Sequence, residues 1–168
     1  MQITYRPIGF FHTPHKTTTG MPIQPSGAQG VKGTINILPE FREGIRDIEG
    51  FSHLIILYHL HEICGQELTV IPFLDQTPHG IFATRSPKRP NPLGLSVMAL
   101  CGVSDEGIIL NNVDVLDGTP VLDIKPYVPD FDVWPADRVG WFEGKSGNAT
   151  TKRSDDRFSA CTLKETGS

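Results

Sequence analysis

Residues 51–61 read FSHLIILYHLH, and this run of β-branched, aromatic and aliphatic residues predicts a buried β-strand. Other short apolar runs lie on both sides of it, at a spacing of roughly 8–15 residues and separated by turn residues. The further predicted strands are residues 3–10 (ending at Gly9), 34–38, 80–84, 93–100, 108–110, 113–116 and 121–124. Many short strands with little helix are typical of a barrel or a sandwich. The sequence therefore predicts a mainly β fold.

Length and composition fit one globular domain. The chain has 168 residues and a formal net charge of −4. Its 17 glycines and 14 prolines exceed the usual share of these two residues but stay below the share that indicates disorder. A turn-rich domain is the interpretation that follows.

Simple counts disfavour several compartments and partners. The three cysteines are odd in number and far apart, so they predict neither a disulfide framework nor a Cys-X-X-Cys metal site, and they favour a reducing, cytoplasmic location. Residues 1–11 lack the pattern of a signal peptide, and the longest apolar run, residues 54–58, is too short to span a membrane. The acidic net charge disfavours a general DNA-binding protein but allows a local basic patch to bind RNA.

A long polar stretch, residues 12–33, separates the first two predicted strands. It carries three prolines and four glycines, and too few apolar residues to form a core of its own. Loops of this length inside a compact domain are often functional, so we interpret the stretch as a binding loop, with disorder as the alternative.

Residues 83–96 (ATRSPKRPNPLGLS) concentrate positive charge on an acidic chain. Arg85, Lys88 and Arg89 lie within five residues, and no acidic residue occurs between positions 80 and 100. Three prolines hold the loop extended, which lowers the entropy cost of ordering it around a ligand. The segment predicts a site for an anion or for RNA phosphate, and a solvated loop shaped by its prolines is an equally weighted alternative.

Residues 114–127 (DVLDGTPVLDIKPY) combine a turn signal with charged strand residues. Asp117-Gly118 lies between two apolar runs and predicts a tight turn whose backbone groups are able to hold a base or a ribose. Asp123 and Lys125 share one face of the predicted strand, which indicates either an ion pair or a carboxylate with a catalytic role.

Histidines recur in the strand at residues 51–61. As strand residues, His53, His59 and His61 share one face, which suggests either a metal site or a histidine that stacks on or hydrogen-bonds a ligand. No complete His-X-His-X₃–₄-Glu pattern accompanies them, so we favour the ligand-contacting histidine and predict no metal.

Five motifs, in family order over residues 3–130, resemble those of the TrmO family (TsaA-like or YaeB-like proteins). They are residues 9–14 (GFFHTP), 50–53 (GFSH), 57–61 (LYHLH), 84–96 (TRSPKRPNPLGLS) and 114–129 (DVLDGTPVLDIKPYVP). The resemblance implies a single small antiparallel β-barrel with long loops, acting as a non-Rossmann, S-adenosylmethionine-dependent tRNA methyltransferase. The sequence has no G-X-G-X-X-G after its first strand, and this absence is consistent with a non-Rossmann site without establishing one.

The same resemblance implies a homodimer that methylates N6 of an adenosine already bearing a threonylcarbamoyl group, immediately 3′ of the tRNA anticodon. S-adenosylhomocysteine is then the second product. It also implies a barrel domain at residues 1–140 and a partly flexible C-terminal extension at 141–168 that forms no full extra domain. A nucleotide- or RNA-binding barrel without catalysis is the main alternative, and a metal-dependent barrel enzyme comes third.

Site residues are assigned through the matching motifs. The implied cofactor contacts are Pro22, Ile23, Gln24, Leu60, His61, Arg85, Leu95, Asp117, Gly118, Thr119 and Pro120. The implied substrate contacts are Lys88, Arg89 and Asn91, which face the tRNA, and Lys125 and Tyr127, which border the site. The candidates for accepting the N6 proton are Asp117, Asp123 and His61.

Overall fold

The computed structural model describes residues 1–158 of the chain. Its strands are β1 (Gly9–His12), β2 (Lys32–Ile37), β3 (His53–His59), β4 (Thr69–Val70), β5 (His79–Gly80), β6 (Leu93–Ser104), β7 (Gly107–Asn111) and β8 (Pro120–Pro126). Strands β1, β2, β7, β6, β3 and β8 close in that order into an antiparallel barrel, and β4 pairs with β5 outside it. This architecture confirms the predicted mainly β fold built on one antiparallel barrel.

Helical structure in the described part of the chain consists of short turns. One α-helix of four residues, α1 (Pro129–Asp132), follows β8. The 3-10 helices are Pro25–Gly27, Pro39–Ile45, Ile48–Gly50, Ile81–Ala83, Gly140–Phe142, Ser146–Thr150 and Asp156–Phe158. Within residues 1–158, no helix has the length and apolar character needed to cross a membrane.

Alternate side chains of the strands fill the barrel interior. In β3, Leu54, Ile56 and Tyr58 are buried, whereas the residues between them are partly exposed. This period of two directs one face of the strand into the barrel, where each fully buried aliphatic side chain stabilises the fold by about 1.5–3 kcal/mol. The core cluster contains Phe11, Ile35, Ile37, Leu54, Ile56, Tyr58, Met98, Ile108, Leu110, Val113, Val115 and Val121.

Antiparallel topology brings three long loops to one end of the barrel. Strands β1, β3 and β7 end where β2, β6 and β8 begin, so the connections 13–31, 60–92 and 112–119 leave the barrel on the same side. We call this end, with its three loops, the rim. The rim gathers segments that are far apart in the sequence.

A C-terminal segment, residues 140–158, packs against two of the rim loops. The Ser154 hydroxyl accepts a hydrogen bond from the Met21 N–H at 2.9 Å. The Trp141 indole N–H donates to the Ala83 carbonyl at 2.7 Å. These contacts join the segment to the 13–31 and 60–92 loops, and the assignment of a separate extension from residue 141 stays a prediction.

Three strand predictions are wrong. Residues 3–7 are unpaired and β1 begins only at Gly9, where the predicted strand was expected to end: Pro7 has no N–H, and the Ile8 N–H is the first to donate, to the Val121 carbonyl at 2.8 Å. At 80–84, Ile81–Ala83 form a 3-10 turn, with Ile81 buried.

The third, residues 113–116, supplies buried side chains to the core without joining a strand. The Val113 N–H donates to the Val31 carbonyl at 3.1 Å, and the Val115 carbonyl accepts the Thr13 hydroxyl at 2.9 Å. Their backbone groups are therefore satisfied by a rim loop instead of a sheet neighbour.

Three further expectations concern the end of the chain and the cysteines. The Ser, Gly, Asn and Thr residues of 144–153 predict an exposed loop, and this stretch is largely exposed but contains a 3-10 turn in which Ala149 is buried. Residues 157–163 predict either a final strand or an unanchored tail. The first two belong to the 3-10 helix Asp156–Phe158, and residues 159–163 lie outside the described part. Cys64 is disulfide-bonded, whereas the count of three cysteines predicted no disulfide framework, and Cys101 is free and exposed.

Candidate functional site

A tight turn at residues 116–119 is fixed onto the end of β1. The Thr119 N–H donates to the Leu116 carbonyl at 3.3 Å, and Gly118 adopts a φ of 76°, a left-handed conformation that favours glycine. The Gly118 N–H donates to the Phe11 carbonyl at 2.9 Å. The predicted Asp-Gly turn is therefore present, and it lies on the rim.

The Asp117 carboxylate joins this turn to the loop that follows β1. It accepts the Thr13 N–H at 2.9 Å and pairs with the Lys16 ammonium at 2.7 Å. The hydrogen bond from Lys16, followed by that from Thr13, lowers the pKa of Asp117 below its usual value. Asp117 is thus held as an anion and is a weak proton acceptor.

Residues 60–61 lie beside the same turn. The Thr119 hydroxyl is 3.3 Å from Nδ1 of His61, and Thr119 is buried. The Leu60 N–H donates to the Pro92 carbonyl at 2.8 Å, which fixes the start of the 60–92 loop against its own end. The structure brings His61 and Thr119 together, as the family motifs imply.

A second pair joins the 60–92 loop to the 13–31 loop. The exposed Arg85 guanidinium donates to the Gln24 side-chain carbonyl at 2.8 Å. Gln24 follows Pro22, which is buried, so the loop backbone is anchored next to the contact. The predicted contacts at 22–24 and at Arg85 therefore share one part of the rim.

Asp114 is a rim residue that the sequence analysis did not select. Its carboxylate accepts the Ser96 hydroxyl at 2.9 Å, and Ser96 lies 3.0 Å from the Tyr58 hydroxyl, oxygen to oxygen. Burial raises the pKa of Asp114 to about 6, although the Ser96 hydrogen bond and the charge of Arg85 act in the opposite direction. The sequence does contain a signal for Asp114: it is an acidic residue inside the apolar run 113–116 (VDVL), and burial of that run would desolvate its carboxylate.

The other two cations of the 83–96 segment already have partners within the protein. The Lys88 ammonium pairs with Glu67 at 2.7 Å. The Arg89 guanidinium donates to the carbonyls of Ile81 at 3.1 Å and Thr84 at 2.9 Å. Both side chains therefore brace the 60–92 loop in this structure.

Two predicted site residues, Leu95 and Asp123, lie on the outer wall of the barrel. Leu57 alternates with the buried Ile56 and Tyr58, so it faces outward, and its register partners are Leu95 in β6 and Asp123 in β8. Asp123 pairs with Lys125 at 2.7 Å, in agreement with the ion-pair interpretation.

Tyr127 and Lys125 are not brought to the rim within one chain. The Tyr127 N–H donates to the carbonyl of His53, the first residue of β3, and Lys125 pairs in register with Ile55. The rim lies at the opposite end of this seven-residue strand, a span of roughly 20 Å. The roles of both residues stay predictions.

A cleft of about 490 Å³ opens beside the rim. Its walls include the N-terminal residues 2–5, the strand end at His59, and two predicted site residues, Asn91 and Pro120. This volume lies in the range of small-molecule sites.

The histidines of β3 do not form one cluster. His53 and His59 occupy opposite ends of the strand, and His61 lies beyond its end, so the expected shared face is wrong for His61. Residues 1–158 contain no group of three His, Cys, Asp or Glu side chains arranged to hold a metal ion.

The fold is a closed antiparallel barrel, and charged and hydrogen-bonding side chains meet on three loops at one end of it. This arrangement defines a non-Rossmann barrel protein whose candidate ligand site is the rim. The tRNA-methyltransferase O N-terminal domain family matches residues 10–133. The chain therefore belongs to this family, which confirms the resemblance found in the motifs.

Relatives and solved structures agree with this membership. The chain is 48% identical to a probable S-adenosyl-L-methionine-binding protein of Pyrococcus abyssi, over 94% of this chain and 86% of that protein. It is 36% identical to the tRNA (adenine(37)-N6)-methyltransferase of Escherichia coli, over 74% of this chain but only 57% of the enzyme. A crystal structure of TrmO from Pseudomonas aeruginosa has a TM-score of 0.70 and 36% identity, covering 84% of this chain and 63% of that one.

Proposed function

We propose that this protein is a tRNA methyltransferase that transfers a methyl group from S-adenosylmethionine to N6 of the adenine immediately 3′ of the anticodon. One observation supports this proposal above the others: residues that the family motifs assign to the cofactor contact each other on one rim. These contacts are Gln24 with Arg85, and His61 with Thr119. The names of the relatives from Pyrococcus abyssi and Escherichia coli support the cofactor and the reaction respectively. A cytoplasmic location agrees with a tRNA substrate.

The chemistry requires alignment more than activation. The sulfonium already carries an activated methyl group, so the carbon–sulfur bond breaks as the nitrogen–carbon bond forms, and S-adenosylhomocysteine leaves. N6 must lose a proton. Asp117 is held as an anion by Lys16, and Asp123 is paired with Lys125 at 2.7 Å, so His61, next to the Asp117–Pro120 turn, is the better candidate to accept it.

The finer substrate assignment is an adenosine that already bears a threonylcarbamoyl group. The carboxylate of that group requires a cation, and Lys88 and Arg89 are the candidates on the basic segment. Either one would have to exchange a partner within the protein, Glu67 for Lys88 or the loop carbonyls for Arg89, when the substrate binds.

Labelled S-adenosylmethionine tests this function with two tRNA preparations, one carrying threonylcarbamoyl-adenosine and one lacking it. We expect label transfer to the modified tRNA and at least tenfold slower transfer to the unmodified one. Equal rates would remove the finer substrate assignment. Retention of cofactor and tRNA without transfer would support a non-catalytic binding barrel instead.

We further propose that two copies associate through the outer wall of β3 and β6. Leu93 and Leu95 are 41% and 58% exposed on this wall, which is a large apolar exposure for strand residues. Leu95 faces away from the barrel interior in its own chain, and a second copy against the wall accounts for its assignment to the site.

Light scattering on the Leu93→Asp variant tests the dimer. The unaltered protein is expected at twice the 18.5 kDa chain mass, and the variant at a single chain mass, because a charge at the contact would be desolvated on association. Val133→Asp changes a valine that is 60% exposed and lies outside the strands, and it is expected to leave the dimer intact. A monomeric unaltered protein would contradict the proposal.

A further inference from the structure

We infer that Asp114 is a positioning and charge-setting residue that makes the site select the positively charged sulfonium of S-adenosylmethionine over the neutral thioether of S-adenosylhomocysteine. The inference rests on the proposed function. It goes beyond it by assigning a role to a residue outside the motif-derived contacts, and by explaining how spent cofactor is released.

Asp114 interacts with Ser96 by a hydrogen bond and with Arg85 through its charge. Its carboxylate holds the hydroxyl of Ser96, which lies in β6. Its charge interacts with that of Arg85, whose guanidinium holds Gln24. Loss of the negative charge would remove the attraction between Asp114 and Arg85.

The sign of this charge has a consequence for the ligand. A sulfonium cation beside Arg85 alone would be repelled, whereas a partly buried carboxylate attracts it across a medium of low polarity. Once the methyl group has left, the sulfur is neutral and this attraction disappears. The carboxylate therefore stabilises the bound methyl donor more than the bound product.

The surroundings of Asp114 on each packed element are defined. Tyr58 on β3 has its pKa raised well above its usual range by burial, so its hydroxyl stays neutral. Arg85 in the 60–92 loop stays cationic. In the 13–31 loop, the ring of His15 lies 3.1 Å from the carbonyl of Val113, so a His15 variant serves as the control for this neighbouring side chain.

Calorimetry with S-adenosylmethionine and S-adenosylhomocysteine, between pH 5 and pH 8, tests the inference on the full chain. The two ligands share every other charged group, so the ratio of their dissociation constants isolates the effect of the sulfonium. For the unaltered protein we expect this ratio to favour S-adenosylmethionine about tenfold more at pH 8 than at pH 5, since Asp114 ionises with a pKa of about 6.

Three variants separate charge from structure. Asp114→Asn keeps the shape and a hydrogen-bond acceptor for Ser96, and its ratio should stay at the low-pH value throughout. Asp114→Glu restores the charge and should restore the pH dependence, which guards against misfolding of the first variant. His15→Gln should show the same change of this ratio with pH as the unaltered protein.

Two results would overturn the inference. Equal weakening of both ligands in Asp114→Asn would show a merely structural role, and the proposed function would stand. Failure of the unaltered protein to bind either ligand would overturn the proposed function, and this inference with it.

Discussion

Gly94→Ala is expected to destabilise the barrel by about 3 kcal/mol and to lower the melting temperature by roughly 6–12 °C. A Cβ at this position of β6 would overlap the ring of Tyr58 in β3. That ring has little freedom to move, because its hydroxyl hydrogen-bonds Ser96 and its edge packs on Phe11 with ring centroids 5.9 Å apart. The added methyl group therefore forces the two strands apart or expels a core side chain.

Gly102→Ala is the matched control in the same strand. A Cβ at Gly102 would have no neighbouring atom within 4 Å, so this variant should melt within a few degrees of the unaltered protein. Thermal unfolding followed by circular dichroism compares the two. Similar melting temperatures for both variants would refute the close packing of Gly94 against Tyr58.

Asp117→Ala is expected to weaken cofactor binding by roughly 10- to 100-fold, on the scale of losing charge-assisted hydrogen bonds. The side chain is the link between the Asp117–Pro120 turn and the loop after β1, through the Thr13 N–H and the Lys16 ammonium. Without it the turn backbone loses its fixed position, and its groups must be ordered again when the ligand binds. Calorimetric titration with S-adenosylmethionine measures the effect.

Asp117→Asn separates hydrogen bonding from charge, because the amide oxygen still accepts the Thr13 N–H. It should retain most of the affinity that the alanine variant loses. The pKa of Asp117 is lower in the folded protein than in the unfolded chain. Its charge therefore adds to the free energy of unfolding at any pH above the unfolded value near 4, and this stabilisation is lost as the pH falls through the lower folded value. Equal affinity in the unaltered protein and in Asp117→Ala would contradict the assigned role.

The sequence predicted the positions of strands where apolar and polar residues alternate. The predicted segments at 34–38, 51–61, 93–100 and 121–124 overlap β2, β3, β6 and β8, because a strand with one buried face leaves a period of two. The same reasoning failed at residues 113–116, where burial is real but the backbone groups bond to a loop. Apolar alternation reports which side chains are buried, and it does not report the partner of the backbone.

Charge patterns predicted less of the candidate site than the motifs did. Three cations in residues 85–89 predicted an exposed anion site, yet Lys88 and Arg89 are engaged by Glu67 and by loop carbonyls, and Arg85 is the one that reaches another rim loop. Partners far along the chain decide which cation is available, and their positions have no local signature. The packing of residues 140–158 on two rim loops has the same origin.

The amino-acid order alone determined the class of fold, the Asp-Gly turn and the family, since these depend on local periodicity, on the conformation that Gly118 permits and on contiguous motifs. Tertiary structure alone decided that the three loops share one end, that Leu95 and Asp123 face outward, and that Asp114 is partly buried beside Ser96 and Arg85. The physical reason is that strand order and closure place each side chain in a shared environment, and desolvation and charge act through that environment and not through distance along the chain.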